Sequence, residues 1–183
     1  MAMAEMLDVV DENGIPTGQK KLRTSVHRDG SWHRTVHVWI VNSRGDVLFQ
    51  KRSMNKESFP GFWDVSAAGH VESGESSIEA AIKELHEELG VGAMARDLRF
   101  LFTMKNTSVQ KGGKFVDNEI SDVFLLRRDL DLSEIKPQES EVSGVIFFSS
   151  AELARIAERG DPACTPHFEE YRRLYEIILN PKK

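Results

Sequence analysis

The chain has 183 residues, 40% of them hydrophobic and 29% charged, with a formal net charge of −5 and a single cysteine. That size and apolar content suit one globular domain that closes its own core without staples. The acidic balance argues against a nucleic-acid polymer as partner, since affinity for a phosphate backbone rests on clustered Lys and Arg, and the lone Cys164 rules out an intramolecular disulfide framework.

The first residues, MAMAEMLDVVDENG, carry no basic segment followed by an apolar one, and no apolar run reaches the length that spans a bilayer. With one cysteine suited to a reducing compartment, the expectation is a cytoplasmic protein with small-molecule partners and no membrane contact. Residues 11–18, DENGIPTG, are dense in turn formers and separate the apolar run 7–10 from the basic segment 20–23, which predicts a small hairpin. The β-branched and aromatic run 35–41, the turn 42–45 and the strand 46–52 predict a second hairpin. FPGFW at 59–63 is an aromatic turn before a short strand at 64–68, and 76–89 reads as a helix. Strands are predicted at 98–105, 119–127 and 142–148, with a turn at Gly112 and Gly113. A helix opens at Ser150 as its N-cap, and 168–179 forms the last helix. No repeat, low-complexity tract or linker divides the chain, so it reads as one domain over 1–183: a hairpin extension (1–34), a core (35–150) and C-terminal helices (151–183).

The helix at 76–89 poses a chemical problem. At 100° per residue Ile78, Ala81, Ile82, Leu85 and Leu89 share one face, while Glu84, Glu87 and Glu88 gather on another. Those glutamates stand three and four residues apart, where like charges repel, and they lie toward the carboxyl end, where the macrodipole disfavours them. A solvated acidic flank is the ordinary reading of such a face. Lys83 alone cannot neutralise three carboxylates, whereas a hard divalent cation takes oxygen ligands from such a cluster and bridges them to phosphate oxygens. Gly69 and Gly74, in the preceding loop, let the backbone come close to a ligand.

Gly69, five residues, Glu75, seven residues and then KELHEELGV at 83–91 resembles the Nudix box, G-x5-E-x7-R-E-U-x-E-E-x-G-U with U apolar. All fixed positions of 69–91 agree except the arginine, which is Lys83. Lysine keeps the charge and loses the planar fork that holds a carboxylate bidentately. The resemblance implies an α/β (α+β) fold, an α/β/α sandwich around a mixed β-sheet, and a hydrolase that cleaves the diphosphate of a nucleoside diphosphate derivative or other organic diphosphate with Mg²⁺ or Mn²⁺. It further implies Glu84, Glu87 and Glu88 as metal ligands, the Gly69 carbonyl as another, and Glu75 as an orienting residue. Bound ions would neutralise the diphosphate and lower the pKa of the attacking water. Glu141, in ESEVS before a predicted strand, stands where relatives often carry a general base; its ordinary reading is a loop surface charge.

Outside the box, VHRDGSWH at 26–33, FPGFW at 59–63, Gly69-His70 and Asp117-Asn118-Glu119 are similar to the type I isopentenyl-diphosphate isomerases and their hydrolase cousins, over most of residues 7–150. This similarity implies a second metal site at His27, His33, His70, Asp117 and Glu119, a donor set suited to Zn²⁺, Mn²⁺ or Fe²⁺. Isomerisation moves protons on carbon and needs an acid and a base. Ala68 occupies the position where the isomerases carry a cysteine, and the acidic cluster is complete, so the resemblance favours the hydrolase over an isomerase-like enzyme, a prenyl diphosphate hydrolase or a non-catalytic binding module. It leaves a homodimer open. His37, His86 and His167 read as surface or hydrogen-bonded residues. Trp39 reads as packing, Trp32 as a pocket wall or packing, and Trp63 as the better pocket wall. Lys51 and Arg52 read equally as phosphate contacts or as solvated strand-end charges.

Overall fold

The structure, a computed structural model, describes residues 5–180; the outermost ends of the expected 1–34 and 151–183 segments lie outside the described residues. β1 (Met6–Val10) and β2 (Pro16–Leu22) form the expected first hairpin, paired antiparallel from Met6 opposite Leu22. The Asp11 carboxylate closes the turn by accepting from the N–H groups of Asn13 and Ile15 at 2.8 and 2.9 Å. A short helix not foreseen in the sequence follows, α1 (Arg23–Asp29), which buries Val26 and His27 and stops at Gly30 in the left-handed region, φ 69°.

β3 (His33–Val41) is the axis of a mixed sheet. It runs antiparallel to β6 (Ala67–His70), with Thr35 opposite His70 and His37 opposite Ala68, and parallel to β8 (Phe115–Arg127), with His33 opposite Glu119. Its side chains alternate between two cores, as a strand with both faces covered must. Val36, Val38 and Ile40 pack on one side with Ala81, Leu85 and Leu89 of α2 (Ser77–Leu89). Trp39 and Val41 pack on the other with Leu153 and Ile156 of α3 (Ser150–Arg159) and Tyr171 and Leu174 of α4 (Phe168–Leu179). The result is the expected sandwich of helices around a mixed sheet.

The expected second hairpin forms only at its turn. β4 (Val47–Arg52) meets β3 through the single pair Val41 and Val47, then diverges to pair with β9 (Val142–Phe148) and with β5 (Trp63–Asp64). Divergence leaves backbone groups without ladder partners, and the buried Ser66 hydroxyl bridges them, donating to the Leu48 carbonyl at 2.5 Å and accepting from the Ile40 N–H at 2.8 Å. β7 (Leu98–Gln110) and β8 make one long hairpin whose tip carries Gly112 and Gly113, so both strands extend past the predicted ends. Ser76 caps α2 in a reciprocal box with Glu79. The cap of α3 is Ser149 rather than Ser150, again in a reciprocal box, with Glu152. No helix among the described residues is long and apolar enough to cross a membrane.

Candidate active site

The carboxyl end of α2 is held by the chain that follows it. The N–H groups of Lys136 and Gln138 each donate, at 2.9 Å, to the Leu89 and Glu88 carbonyls, filling acceptors that a helix end leaves open. The same tie brings the 138–141 turn, and Glu141 with it, beside Glu88. On the other side, β6 passes so close to α2 that a Cβ on Gly69 would overlap the Glu84 carboxyl group. Glycine is required at 69 for that approach.

Glu88 is 3% exposed. Its Oε2 accepts from the Gln50 side-chain amide at 2.9 Å and from the Ala68 N–H at 3.0 Å. Its Oε1 lies 3.9 Å from the Lys56 ammonium, which is also ion-paired with Glu141. Burial pushes Glu88 up to about 7, while Lys56, the Ala68 N–H and Gln50 pull it down. Burial, followed by the charges of Glu88 and Glu87, pushes Glu84 up to about 8, with Lys83 and Lys56 opposing. Glu87 is exposed at the rim of the same cleft. Carboxylates crowded this way attract cationic partners, and Lys56 is one of them.

Lys83 donates to Glu72 at 2.8 Å and to Glu75 at 3.4 Å, and Glu75 accepts the Glu72 N–H at 3.1 Å. Burial alone would lower the Lys83 pKa, but the bond to Glu72 and the charges of Glu75 and Glu84 hold it at about 12. Lysine thus ties the loop to the helix by two single contacts in place of an arginine fork.

His27 from α1, His33 from β3 and His70 from β6 converge, with ring centroids 5.1 to 5.2 Å apart. Their ligand atoms lie within 4.8 Å of one another, as do those of His33, Asp117 and Glu119. His27 Nε2 and His33 Nε2 stand 3.3 and 3.5 Å from Asp117 Oδ1, and all three atoms are buried with no hydrogen-bond partner. Outer contacts set the rings: His33 Nδ1 faces the Ser31 carbonyl at 3.1 Å and His70 Nδ1 faces Glu5 at 3.0 Å, leaving each Nε2 for the centre. Burial and the neighbouring His70 push His33 down to about 4, and burial with the Asp117 charge pushes Glu119 up to about 8. Buried polar atoms left unpaired are costly unless an ion fills the gap between them, so these residues fit a divalent metal. The cradle at Gly69, Glu84 and Glu88 fits one as well.

Gly69, Glu84, Glu87 and Glu88 line one cleft of about 330 Å³ together with His27, His70, Asp117 and Glu119, with His33 buried behind them. Three residues weighed as substrate contacts make contacts of their own within the fold. Lys51 lies over the Trp63 ring at 5.6 Å, and Trp63 packs on Phe148 at 5.9 Å; both stand outside the cleft wall. A strand end shows its composition in sequence, and its facing only in the fold. Arg52 does line the cleft, but its guanidinium is held by Asp64 at 2.8 Å and by Ser58 at 3.0 Å, so it braces the 53–62 loop. Trp32 lies beneath the Lys105 ammonium, 4.6 Å from its ring centre, and Trp39 is core packing.

Residues that sequence reasoning missed are Lys56, Gln50 and the Glu5–Arg23 pair behind His70. Gln50, a polar residue inside an apolar strand, was the one local signal among them. His37 and His167 line the cleft floor, where His37 is hydrogen-bonded to the buried Glu170 at 2.8 Å. His86 is exposed, as expected.

The profile of the NUDIX domain matches residues 31–168. The chain is 40% identical over 179 residues to Nudix hydrolase 3 of Arabidopsis thaliana, covering 95% of this chain and 23% of the plant protein, so it spans under a quarter of that relative. It is 32% identical over 152 residues to an isopentenyl-diphosphate Delta-isomerase of Streptomyces coelicolor, covering 83% of this chain and 75% of the isomerase. The crystal structure of DR0079 from Deinococcus radiodurans superposes with a TM-score of 0.71 at 29% identity, covering 93% of this chain and 99% of the other.

Proposed function

The chain belongs to the NUDIX domain family, and on that premise we propose that it is a divalent-metal-dependent hydrolase of small organic diphosphates, with nucleoside diphosphate derivatives as the leading class. One observation carries the reading: the half-buried Glu84 and the buried Glu88 line one cleft beside Gly69, with burial raising both and the Glu88 charge raising Glu84 further. A protein that only bound a metabolite would have little use for repelling carboxylates.

Glu84, Glu87, Glu88 and the Gly69 carbonyl would hold Mg²⁺ or Mn²⁺, and His27, His33, His70, Asp117 and Glu119 a second divalent ion. When bound, the ions supply charge neutralisation of the diphosphate and acidify the attacking water. The protein's own groups do the rest. Glu75 and Lys83 fix the loop against α2, which keeps the Gly69 carbonyl and Glu84 in one arrangement. Glu141, beside Glu88, takes the proton of the water as its oxygen attacks phosphorus and the phosphorus–oxygen bond to the leaving phosphate breaks. Lys56 must first leave Glu141 for that carboxylate to act as a base.

The isomerase reading is disfavoured by the position of the only thiol. Ala68 lines the cleft and carries no proton, whereas Cys164 is buried outside it, with burial pushing its thiol up to about 12. The deciding experiment is phosphate or pyrophosphate release with Mg²⁺ across nucleoside diphosphate derivatives, nucleoside triphosphates and isopentenyl diphosphate, comparing the native protein with Glu87→Gln and Glu88→Gln. Release abolished by either substitution supports the hydrolase. Isomer interconversion, or tight binding without release, overturns it.

A further inference from the structure

Gln50 occupies a position that the strand pattern assigns to an apolar side chain. It lies two residues beyond Leu48, whose side chain joins the core packed against α2, and Gln50 is 1% exposed. Burying an amide costs free energy unless it is hydrogen-bonded. Its Nε2 donates at 2.9 Å to Glu88 Oε2, the oxygen that also receives the Ala68 N–H at 3.0 Å. The two donors come from different strands, β4 and β6, so they fix that oxygen from two directions.

Two properties of this arrangement suit a metal ligand better than a structural filler. Both donors are neutral, so they orient the carboxylate without cancelling its charge, as a Lys or Arg at position 50 would. Both act on the same oxygen, which leaves Oε1 toward Lys56 and the cleft. A glutamate otherwise loses rotamer freedom when it binds an ion; here that freedom is already removed by the fold, as outer contacts do for ligands in other metal centres.

We propose that Gln50 is a positioning residue of the metal centre: together with the Ala68 N–H it locks Glu88 Oε2, so that Oε1 alone is presented to the divalent cation. The inference rests on the metal-dependent reading above, and its test separates the two. Mn²⁺ is titrated into the full chain and free ion is counted by electron paramagnetic resonance, for the native protein, Glu88→Gln and Gln50→Met. Glu88→Gln should remove one class of bound Mn²⁺. Gln50→Met, which keeps the shape and loses the donor, should weaken that same class by about 10- to 100-fold, lower kcat and leave KM for the diphosphate unchanged. If Gln50→Met does not fold, Gln50→Asn, whose amide is drawn back by one methylene, takes its place with the same weakening expected. A folded variant whose Mn²⁺ affinity stays within twofold of native overturns the role of Gln50 alone. Native binding retained in Glu88→Gln overturns the metal reading, and the proposal with it.

Discussion

The Lys56 ammonium is ion-paired with the Glu141 carboxylate at the mouth of the cleft, and its nitrogen stands 3.9 Å from Glu88 Oε1. A lysine on the 53–62 loop therefore sits among the carboxylates that a divalent ion would use, and an incoming ion must compete with it. Lys56→Met should tighten Mg²⁺ binding about tenfold, equal to ~1.4 kcal/mol, by calorimetric titration. Lys105→Met is the control, because Lys105 pairs with Glu12 and stands outside the cleft lining. An equal gain in both variants would reduce the effect to general electrostatics, and no gain in Lys56→Met would sink it.

Gly69→Ala should act on Glu84. The added methyl overlaps the Glu84 carboxyl group, so the side chain must swing away. Overpacking of this kind costs about 1–3 kcal/mol, and the larger loss should fall on function. The expected result is a modest fall in melting temperature with kcat reduced at least tenfold. A variant with native kcat would mean that Glu84 does not need the contact at 69.

How much of this was legible in sequence depended on distance along the chain. Gly69, Glu75, Lys83, Glu84 and Glu88 lie on one unbroken stretch of β6, loop and α2, so their spacing alone places them together. His27, His33, His70, Asp117 and Glu119 come from four elements, and only a family likeness could join them; the parallel pairing of β3 with β8 is what sets His33 opposite Glu119. α1 escaped notice because seven residues give too little periodicity to read. β7 and β8 were read short because their outer parts, 106–110 and 115–118, mix polar residues with Val109, Phe115 and Val116 in no clear alternation and pair only as arms of one hairpin. The facing of Lys51 and Trp63 was not legible, because composition at a strand end does not say which way it points.

The histidine cluster should respond to metal independently of catalysis. His27 Nε2, His33 Nε2 and Asp117 Oδ1 face one another with no hydrogen-bond partner among the described residues, and an ion would supply a partner to each. A ligand at 100 times its Kd stabilises by about 2.7 kcal/mol, roughly 5–10 °C in melting temperature for a chain of this size. Mn²⁺ or Zn²⁺ added to chelator-treated protein should raise the melting temperature by that amount, and His33→Ala should abolish the part due to this site. An unchanged increment in His33→Ala would show the ion binding elsewhere.

Stability should fall with alkaline pH through His37. Burial alone would lower its pKa, but the Glu170 charge and hydrogen bond, helped by Glu119 and Asp64, raise it to about 9 from an ordinary 6.5. The folded state then keeps a proton that the unfolded chain releases between those values. Stabilisation by the pair is complete below about pH 6.5 and is lost as pH rises through 9. The difference corresponds to on the order of 3 kcal/mol. The other groups facing His37 are His167 at the start of α4, Asp64 on β5 and Glu119 on β8; His167 and Asp64 are shifted down, out of this range. Glu119 is pushed up to about 8 and contributes a slope of the same sign; its charge is coupled to that of His37, so the difference reads the two together. Urea unfolding from pH 6 to 9.5, in chelator, should therefore show native protein losing its advantage over Glu170→Gln as pH rises. Because Glu170 also accepts from Trp39 Nε1 at 2.7 Å, a constant offset between the two proteins is expected as well. Parallel profiles across the whole range would mean that His37 is not held protonated by Glu170.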